Sequence, residues 1–301
     1  MSLKKVSIIL ILIFSFSNTS FPQNDGAGNT GLAFLKLGVG ARSIAMGEAF
    51  SSISDDATAI IYNPARLNFG LNNNVTLMHN FSVQDMSTDF IGTKFTIDKF
   101  AFGVGILKTS VNDIEVRNIP GEPLDKFDSQ NLSINLSVSY KLYDVFSIGI
   151  SSKFLYEKIY VDDASGLGFD FGTSYSKDNL NFSFVVANIG SIDELRNTST
   201  KLPTLVRFGS GYSFFEEDFS FLIGVDGFKV LDGGQLHIHT GGEVGYRDFV
   251  FARVGYQSNY ENKNITTGLG FKYKSIYLDY AFVPYTSEFG SSNTFSLGMS
   301  F

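Results

Sequence analysis

Apolar and polar residues alternate with a period of two over most of the chain, from Asn74 to Phe301. In the segment 132–140, Leu, Ile, Val and Tyr occupy the even positions, while Ser and Asn occupy the odd ones. The same alternation recurs in the segments 180–186 and 265–273. Because successive side chains of a β-strand point to opposite faces, this pattern predicts strands with one apolar and one polar face.

Counting these segments predicts fourteen strands, and most of them are ten residues long or longer. Strands of soluble proteins average five or six residues, whereas a tilted strand needs about ten to cross a membrane. The pattern therefore predicts an all-β fold, a 14-stranded antiparallel transmembrane β-barrel. The predicted strands are 75–82, 88–98, 100–111, 130–142, 145–159, 166–176, 180–190, 204–215, 218–231, 235–247, 249–259, 264–274, 276–285 and 293–301.

The connections between the predicted strands alternate in length, as in a meandering outer-membrane barrel. Short turns are predicted at 98–99, 143–144 and 178–179, and longer loops at 112–129 and 191–203. The chain also ends in an apolar strand whose last residue is Phe301, as expected if this strand closes the sheet against the first one. A soluble β-sandwich or propeller would show the same period and remains the alternative.

The N-terminal 73 residues differ from the rest. Lys4 and Lys5 precede an apolar run, Val6 to Phe16, and a polar stretch. This arrangement is typical of a signal peptide, which we place at 1–22, although a buried N-terminal helix or strand would also fit. An exported barrel is expected in the cell outer membrane, in contact with its lipid.

Residues 23–73 lack strict alternation and are rich in Gly, Ala, Asn and Asp. We interpret them as a short N-terminal plug inside the lumen of the barrel, which itself spans 74–301. A helix is expected at 57–62, with Ser54 or Asp55 as its N-cap. Pro64 should end it, because the residue before a proline avoids helical conformation.

The composition and the motifs of the chain exclude several classes of function. The net charge of −7 leaves no basic surface for nucleic acid, and the absence of cysteine excludes thiolate chemistry. No catalytic triad or metalloprotease motif is present, so we predict no enzyme, no catalytic residue and no cofactor. His237 and His239 share one strand face, but no third ligand accompanies them. We therefore predict no metal site and interpret both as polar residues near a loop.

Charged residues on the predicted strands fall on the polar face. An Arg or Lys that faces the middle of a bilayer costs roughly 2–4 kcal/mol, so these side chains should face the lumen. The predicted lumen charges are Lys141, Lys153, Asp170, Arg207, Asp226, Arg253 and Asp279.

Two motifs in the plug segment resemble those of the PorV/PorQ family of outer-membrane proteins, which is similar to the FadL-type transporters. The first is GARSIAMGEAF at 40–50, and the second is DDATAIIYNPA at 55–65. Glu48 and Arg66 depart from the family pattern, which more often has Gly there. The resemblance extends to 268–285 and 295–297, and more loosely to 203–209. The plug residues that it identifies are Gly38, Gly40, Ala41, Arg42, Met46, Gly47, Asp55, Asp56, Asn63, Pro64 and Ala65.

The resemblance implies a fourteen-stranded barrel with a plug near Asn63, and two alternative activities. The first is a role in type IX secretion, with secretion-system components and exported proteins as partners. The second is FadL-like passage of hydrophobic small molecules such as long-chain fatty acids, in part through the barrel wall. We expect the first role, with loops 112–129 and 191–203 contacting partners. The plug motif is expected to be structural, with Arg42 paired to a wall carboxylate such as Asp170, Asp226 or Asp279.

Overall fold

The computed structural model describes residues 26, 28–71, 73–286 and 290–301. Within this part of the chain, fourteen antiparallel strands form one closed barrel, which confirms the predicted fold and strand count. The predicted signal peptide, 1–22, lies outside the described residues. No helix of the described part has the length and hydrophobicity needed to cross a membrane.

Each strand pairs with its neighbours in sequence, and the last strand closes the barrel on the first, with Asn74 opposite Ser300 and Phe81 opposite Asn293. This closure leaves no sheet edge unpaired, as a barrel in lipid requires. The strands are β1 Asn74–Phe81, β2 Met86–Ile97, β3 Phe100–Val116, β4 Asp125–Tyr143, β5 Phe146–Ile159, β6 Asp162–Lys177, β7 Leu180–Ile192, β8 Leu205–Glu216, β9 Phe219–Val230, β10 Leu236–Tyr246, β11 Val250–Gln257, β12 Ile265–Tyr273, β13 Ile276–Pro284 and β14 Ser291–Ser300.

The two faces of the barrel wall are inverted relative to a water-soluble protein. On β4, Leu136 and Val138 are 56% and 38% exposed, whereas Ser137 and Ser139 between them are 2% and 0% exposed. Apolar side chains thus cover the outside and small polar ones line the inside. A continuous apolar belt of this kind is the surface that a bilayer solvates.

The two rims of the barrel differ. At the short-turn rim, which also holds Asn74 and Ser300, the connections are only two or three residues long: 98–99, 144–145, 178–179, 217–218, 247–249 and 274–275. At the opposite, long-loop rim the connections are 82–85, 117–124, 160–161, 193–204, 231–235, 258–264 and 285–290.

The loop predicted at 112–129 is wrong in extent, because β3 and β4 continue past it and leave only 117–124 as a connection. A β-bulge hides these strand ends from the pattern: the register shifts between Val111 and Ile114. Within the bulge, Asp113 adopts a left-handed φ of 56° and its backbone N–H donates to Asp128 Oδ1. The extra residue reverses the alternation, which is why the sequence pattern failed here.

Residues 28–71, called the luminal segment below, lie inside the barrel, and nearly all of 39–60 is buried. They contain two short helices, α1 Ala41–Ala45 and α2 Ala59–Tyr62, and 3₁₀ turns at Ala33–Lys36 and Pro64–Asn68. The expected N-cap at Ser54 or Asp55 is wrong. Thr58 occupies the N-cap position without a side-chain hydrogen bond to the helix, and its backbone N–H donates to Asp56 Oδ1 at 2.9 Å. Pro64 begins the second 3₁₀ turn, so α2 ends before it.

Candidate functional site in the barrel lumen

Glycines of the wall allow the backbone of the luminal segment to lie directly on the strands. A Cβ atom on Gly255 of β11 would stand 2.0 Å from the backbone nitrogen of Gly47. A Cβ atom on Gly149 of β5 would stand 2.3 Å from the backbone nitrogen of Ala65. Any side chain at either position would overlap main-chain atoms, which cannot rotate away. These two glycines, which have no side chain, therefore determine where the luminal segment lies against the wall.

Backbone donors of the luminal segment are satisfied by wall side chains. The Ala41 N–H donates to Ser296 Oγ at 2.8 Å, and the Gly47 N–H donates to Thr266 Oγ1 at 3.0 Å. The Ser51 N–H donates to Asp226 Oδ2 at 2.9 Å. Irregular backbone at membrane depth is tolerated where protein groups satisfy it in this way.

The Asn63-Pro64-Ala65 motif links the segment to the wall through one side chain. Asn63 Nδ2 donates to the carbonyl oxygens of Ser51 and Thr173, both at 3.1 Å, and its Oδ1 accepts from the Ala65 N–H. The amide thus joins two turns of the segment and strand β6. This geometry accounts for the motif through folding alone.

Arg66, which departs from the family pattern, is accommodated by polar partners. Its Nε donates to the Ser54 carbonyl oxygen at 3.0 Å, and its guanidinium lies 4.7 Å from the centre of the Phe69 ring. Burial lowers the pKa of Arg66 to about 10, so the side chain is still charged near neutral pH.

A chain of five alternating charges joins the segment to the wall. Arg42 binds Asp55 and Glu243, both at 2.8 Å, and Arg253 binds Glu243 at 2.5 Å and Asp279 at 2.6 Å. A cavity of about 160 Å³ beside this chain opens toward the short-turn rim. Its charged lining is unsuited to a hydrocarbon, because an apolar ligand would have to displace the solvation of these groups.

Arg42 pairs with a wall carboxylate as expected, but this carboxylate is Glu243 of β10 and not one of the three aspartates that the sequence suggested. The structure places all seven predicted lumen charges on the inner face, and Lys141 lies over the Phe69 ring. Each of the three aspartates already has a cation on the wall, on a neighbouring strand for Asp170 and Asp226 and across β12 for Asp279. These wall pairs are Lys153–Asp170 at 2.8 Å, Arg207–Asp226 at 3.9 Å and Arg253–Asp279.

Between this cavity and the long-loop rim, a buried apolar cluster runs through the lumen beside the buried polar groups of Lys153, Asn188 and His239. Side chains from the segment and from the wall form one continuous buried cluster. The larger members from the segment are Leu32, Phe34, Leu35, Val39 and Ile44, and those from the wall and loops are Met78, Phe90, Leu107, Leu155, Ile192, Leu202 and Val283. The packing is close, and a neighbouring cavity measures only about 10 Å³. Its lining is mixed, with Leu35, Ile61 and Leu205 beside Lys153, Asn188 and Arg207.

The wall is irregular next to that small cavity. A bulge places Ala187 and Asn188 of β7 opposite the single residue Asp170 of β6, with Asn188 at a φ of 62°. The strand pairing of β7 with β8 stops at Ala187. Beyond it, Asn188 Nδ2 donates to the Pro203 carbonyl oxygen at 3.2 Å, and the Asn188 carbonyl oxygen accepts from Thr204 Oγ1 at 3.0 Å. Lys153 Nζ braces the bulge by binding both Asp170 Oδ2 at 2.8 Å and Asn188 Oδ1 at 2.7 Å.

His237 and His239 are buried beneath the loop 258–264. The Tyr260 ring stacks on His237 with centroids 4.1 Å apart, and its hydroxyl lies 3.0 Å from His239 Nε2. Lys263 of the same loop reaches Glu48 of the luminal segment at 3.3 Å. Among the described residues, no group of three His, Cys, Asp or Glu side chains is placed to hold a metal ion.

The Glu48–Lys263 pair should persist in mild acid. Burial raises the pKa of Glu48, but Lys263 and Arg207 outweigh it and lower the pKa to about 2. The folded pKa lies below the ordinary value, so the stabilisation is full above about pH 4.5 and is lost as the pH falls through 2. We expect Glu48→Gln to lower the melting temperature at pH 7 but to have little effect at pH 2. Thermal unfolding at both values checks this, and an equal loss at both would contradict it.

No protein-family model matches the sequence, and no curated protein matches it either. The solved structures do match: the chain has the fold of FadL-like outer-membrane β-barrels. It resembles the CymD monoaromatic hydrocarbon channel with a TM-score of 0.62 and 12% identity, over 88% of this chain and 98% of that one.

Two further structures show the same likeness. The TodX deltaS2S3 mutant monoaromatic hydrocarbon channel matches with a TM-score of 0.62 and 14% identity, over 88% of this chain and 99% of that one. The Pseudomonas putida toluene transporter TodX matches with a TM-score of 0.59 and 14% identity, over 87% of this chain and 97% of that one. At these identities the likeness shows the fold alone.

Proposed function

We propose that this chain is a non-enzymatic outer-membrane channel through which small hydrophobic molecules pass by diffusion. The observation that carries the proposal is the continuous apolar cluster between the luminal segment and the long-loop rim. A pore for polar solutes has a polar, water-filled lumen, whereas this half of the lumen offers apolar contacts to a solute. The fold shared with proteins described as hydrocarbon channels and a toluene transporter adds support.

In this proposal the luminal segment is the plug, residues 23–73, and the long-loop rim faces outward, as in other barrels with short periplasmic turns. The solute leaves sideways, through the wall where β7 continues beyond its pairing with β8. The small cavity behind the bulge lies next to this gap. The closely packed lumen means that side chains move aside as the solute passes.

Ala187 offers a test, because its side chain lines the small cavity and lies on the inner face of β7. We expect Ala187→Phe to fill the path and to reduce uptake of labelled toluene to the level of cells that lack the protein. Ala252→Phe adds the same bulk on the outer, exposed face of β11 and should leave uptake unchanged. Circular dichroism checks that both variants fold. Normal uptake by folded Ala187→Phe would refute the lateral path.

The role in type IX secretion, as a member of the PorV/PorQ family that binds exported proteins, stays a second hypothesis. The filled lumen favours it, since a protein that acts through its loops has no need of a passage. A deletion strain distinguishes the two: loss of toluene uptake with normal secretion supports the channel. Loss of secreted proteins with normal uptake supports the secretion role, and no loss of either would contradict both.

A further inference from the structure

We propose that Tyr260 occupies a binding slot for a phenolic ligand, meaning a single aromatic ring that carries a hydroxyl group. The loop 258–264 inserts this side chain into the lumen, where its ring and its hydroxyl have separate partners. The inference rests on the proposed function in one respect: a channel for small hydrophobic molecules brings such a ligand into the lumen.

The ring of Tyr260 lies between aromatic and cationic partners that would hold any planar ring. His237 stacks on it with an interplanar angle of 24°, and Lys263 Nζ lies 4.8 Å from its centroid. Stacked rings and a cation over a ring face each stabilise the ring beyond the burial of its area. These contacts depend on the ring and not on its attachment to the chain.

The hydroxyl of Tyr260 has one defined partner, His239 Nε2 at 3.0 Å. His239 is completely buried, and its own ring stacks on Phe228 at 5.6 Å with an interplanar angle of 24°. A buried ring nitrogen left without a partner has lost its hydration with no hydrogen bond to compensate. A plain hydrocarbon in the slot would leave that nitrogen unpaired, whereas a phenol would restore the hydrogen bond. The slot therefore discriminates by the hydroxyl group.

The tyrosine is carried by a loop and not by a strand, so it is able to leave without opening the barrel. Tyr260 is half-buried, and the loop joins β11 to β12 at the long-loop rim. Its ends are held by the Gln257 N–H, which donates to the Asn264 carbonyl oxygen at 2.7 Å. A ligand that displaces the Tyr260 ring takes over its contacts with His237 and His239, whereas Lys263 lies on the same loop and moves with it.

Titration calorimetry with p-cresol, which has the structure of a tyrosine side chain, tests the slot in the full chain in detergent. Tyr260→Ala removes the internal competitor, so we expect it to bind p-cresol more tightly than the unmodified protein does. It should also prefer p-cresol to toluene by about tenfold, the worth of one hydrogen bond. In Tyr260→Ala combined with His239→Phe, this preference should disappear.

The controls separate the slot from general binding. Tyr273→Ala removes an exposed tyrosine at the short-turn rim and should gain no affinity. If Tyr260→Ala is less stable, p-cresol should still raise its melting temperature more than toluene does, since a ligand stabilises the state that it binds. Equal binding of p-cresol and toluene to Tyr260→Ala, or no gain over the unmodified protein, would overturn the inference.

The binding experiment and the uptake experiment can fail independently of each other. If the cells take up toluene but Tyr260→Ala shows no preference for p-cresol, the phenolic slot is contradicted and the channel proposal is unaffected. If Tyr260→Ala prefers p-cresol but the deletion strain takes up toluene normally, the phenolic slot is supported and the channel proposal is contradicted.

Discussion

Gly255→Val should open the barrel to ions. The new side chain would begin 2.0 Å from the backbone nitrogen of Gly47. The Gly47 backbone cannot rotate away, because its N–H donates to Thr266 Oγ1 and its carbonyl oxygen accepts from Gln257 Nε2. Overpacking by even a few methylenes costs about 1–3 kcal/mol, and this overlap is more severe because it is with backbone. The luminal segment must therefore move away from the wall. Single-channel recording in planar bilayers should then detect large ion currents for the variant and none for the unmodified protein.

Gly242→Val is the matched control. Gly242 lies on β10, and a Cβ atom there meets nothing within 4 Å. Both variants place the same β-branched residue in a strand, so any loss of folding due to valine itself appears in both. If Gly255→Val stays closed, or if Gly242→Val conducts equally well, the wall glycines do not determine the seating of the segment.

Lys153→Met should be the most destabilising change in the wall. Lys153 and Asp170 are 4% and 1% exposed at their side chains, and the substitution leaves a buried carboxylate without its cation. Breaking a buried pair in this way costs about 3–5 kcal/mol. The bulge at Asn188 also loses its brace, so the loss should be seen in urea unfolding of the barrel in lipid vesicles.

Replacing both partners provides the decisive comparison. Lys153→Met combined with Asp170→Leu removes the unpaired charge and should recover most of the stability, since an apolar pair of similar volume is often neutral. Lys272→Met serves as the control, because Lys272 pairs with the exposed Asp248 at the short-turn rim. Exposed pairs contribute only about 0–1 kcal/mol. A double variant as unstable as Lys153→Met would show that the charge is not the cause.

The candidate site was only partly predictable from the sequence. The lumen charges could be placed because they fall on the polar face of strands with a clear alternation, as Arg253 and Asp279 illustrate. A wall carboxylate was expected for Arg42, but its identity was not, because Glu243 lies 201 residues away and no local signal relates the two. Tyr260 and Lys263 gave no signal at all, since loop residues have no period from which their direction can be read.

The type of function was also less determined than the fold. The motifs around Gly40 and Asn63 favoured secretion, whereas the solved structures with the same fold are described as a hydrocarbon channel and a toluene transporter. Both motifs are used in seating the luminal segment, which explains why they indicate a fold more strongly than a substrate. A shared fold does not by itself establish a shared function.

By itself, the sequence determined the fourteen strands, their order and which side of each strand faces outward. These features follow from the period of two, which any strand imposes on its own side chains whatever lies next to it. Only the tertiary structure decided the partners of Arg42, the bulges at Asp113 and Asn188, and the insertion of Tyr260. Those features depend on how separate strands and loops meet in the lumen, and contacts between distant residues leave no pattern along a single chain.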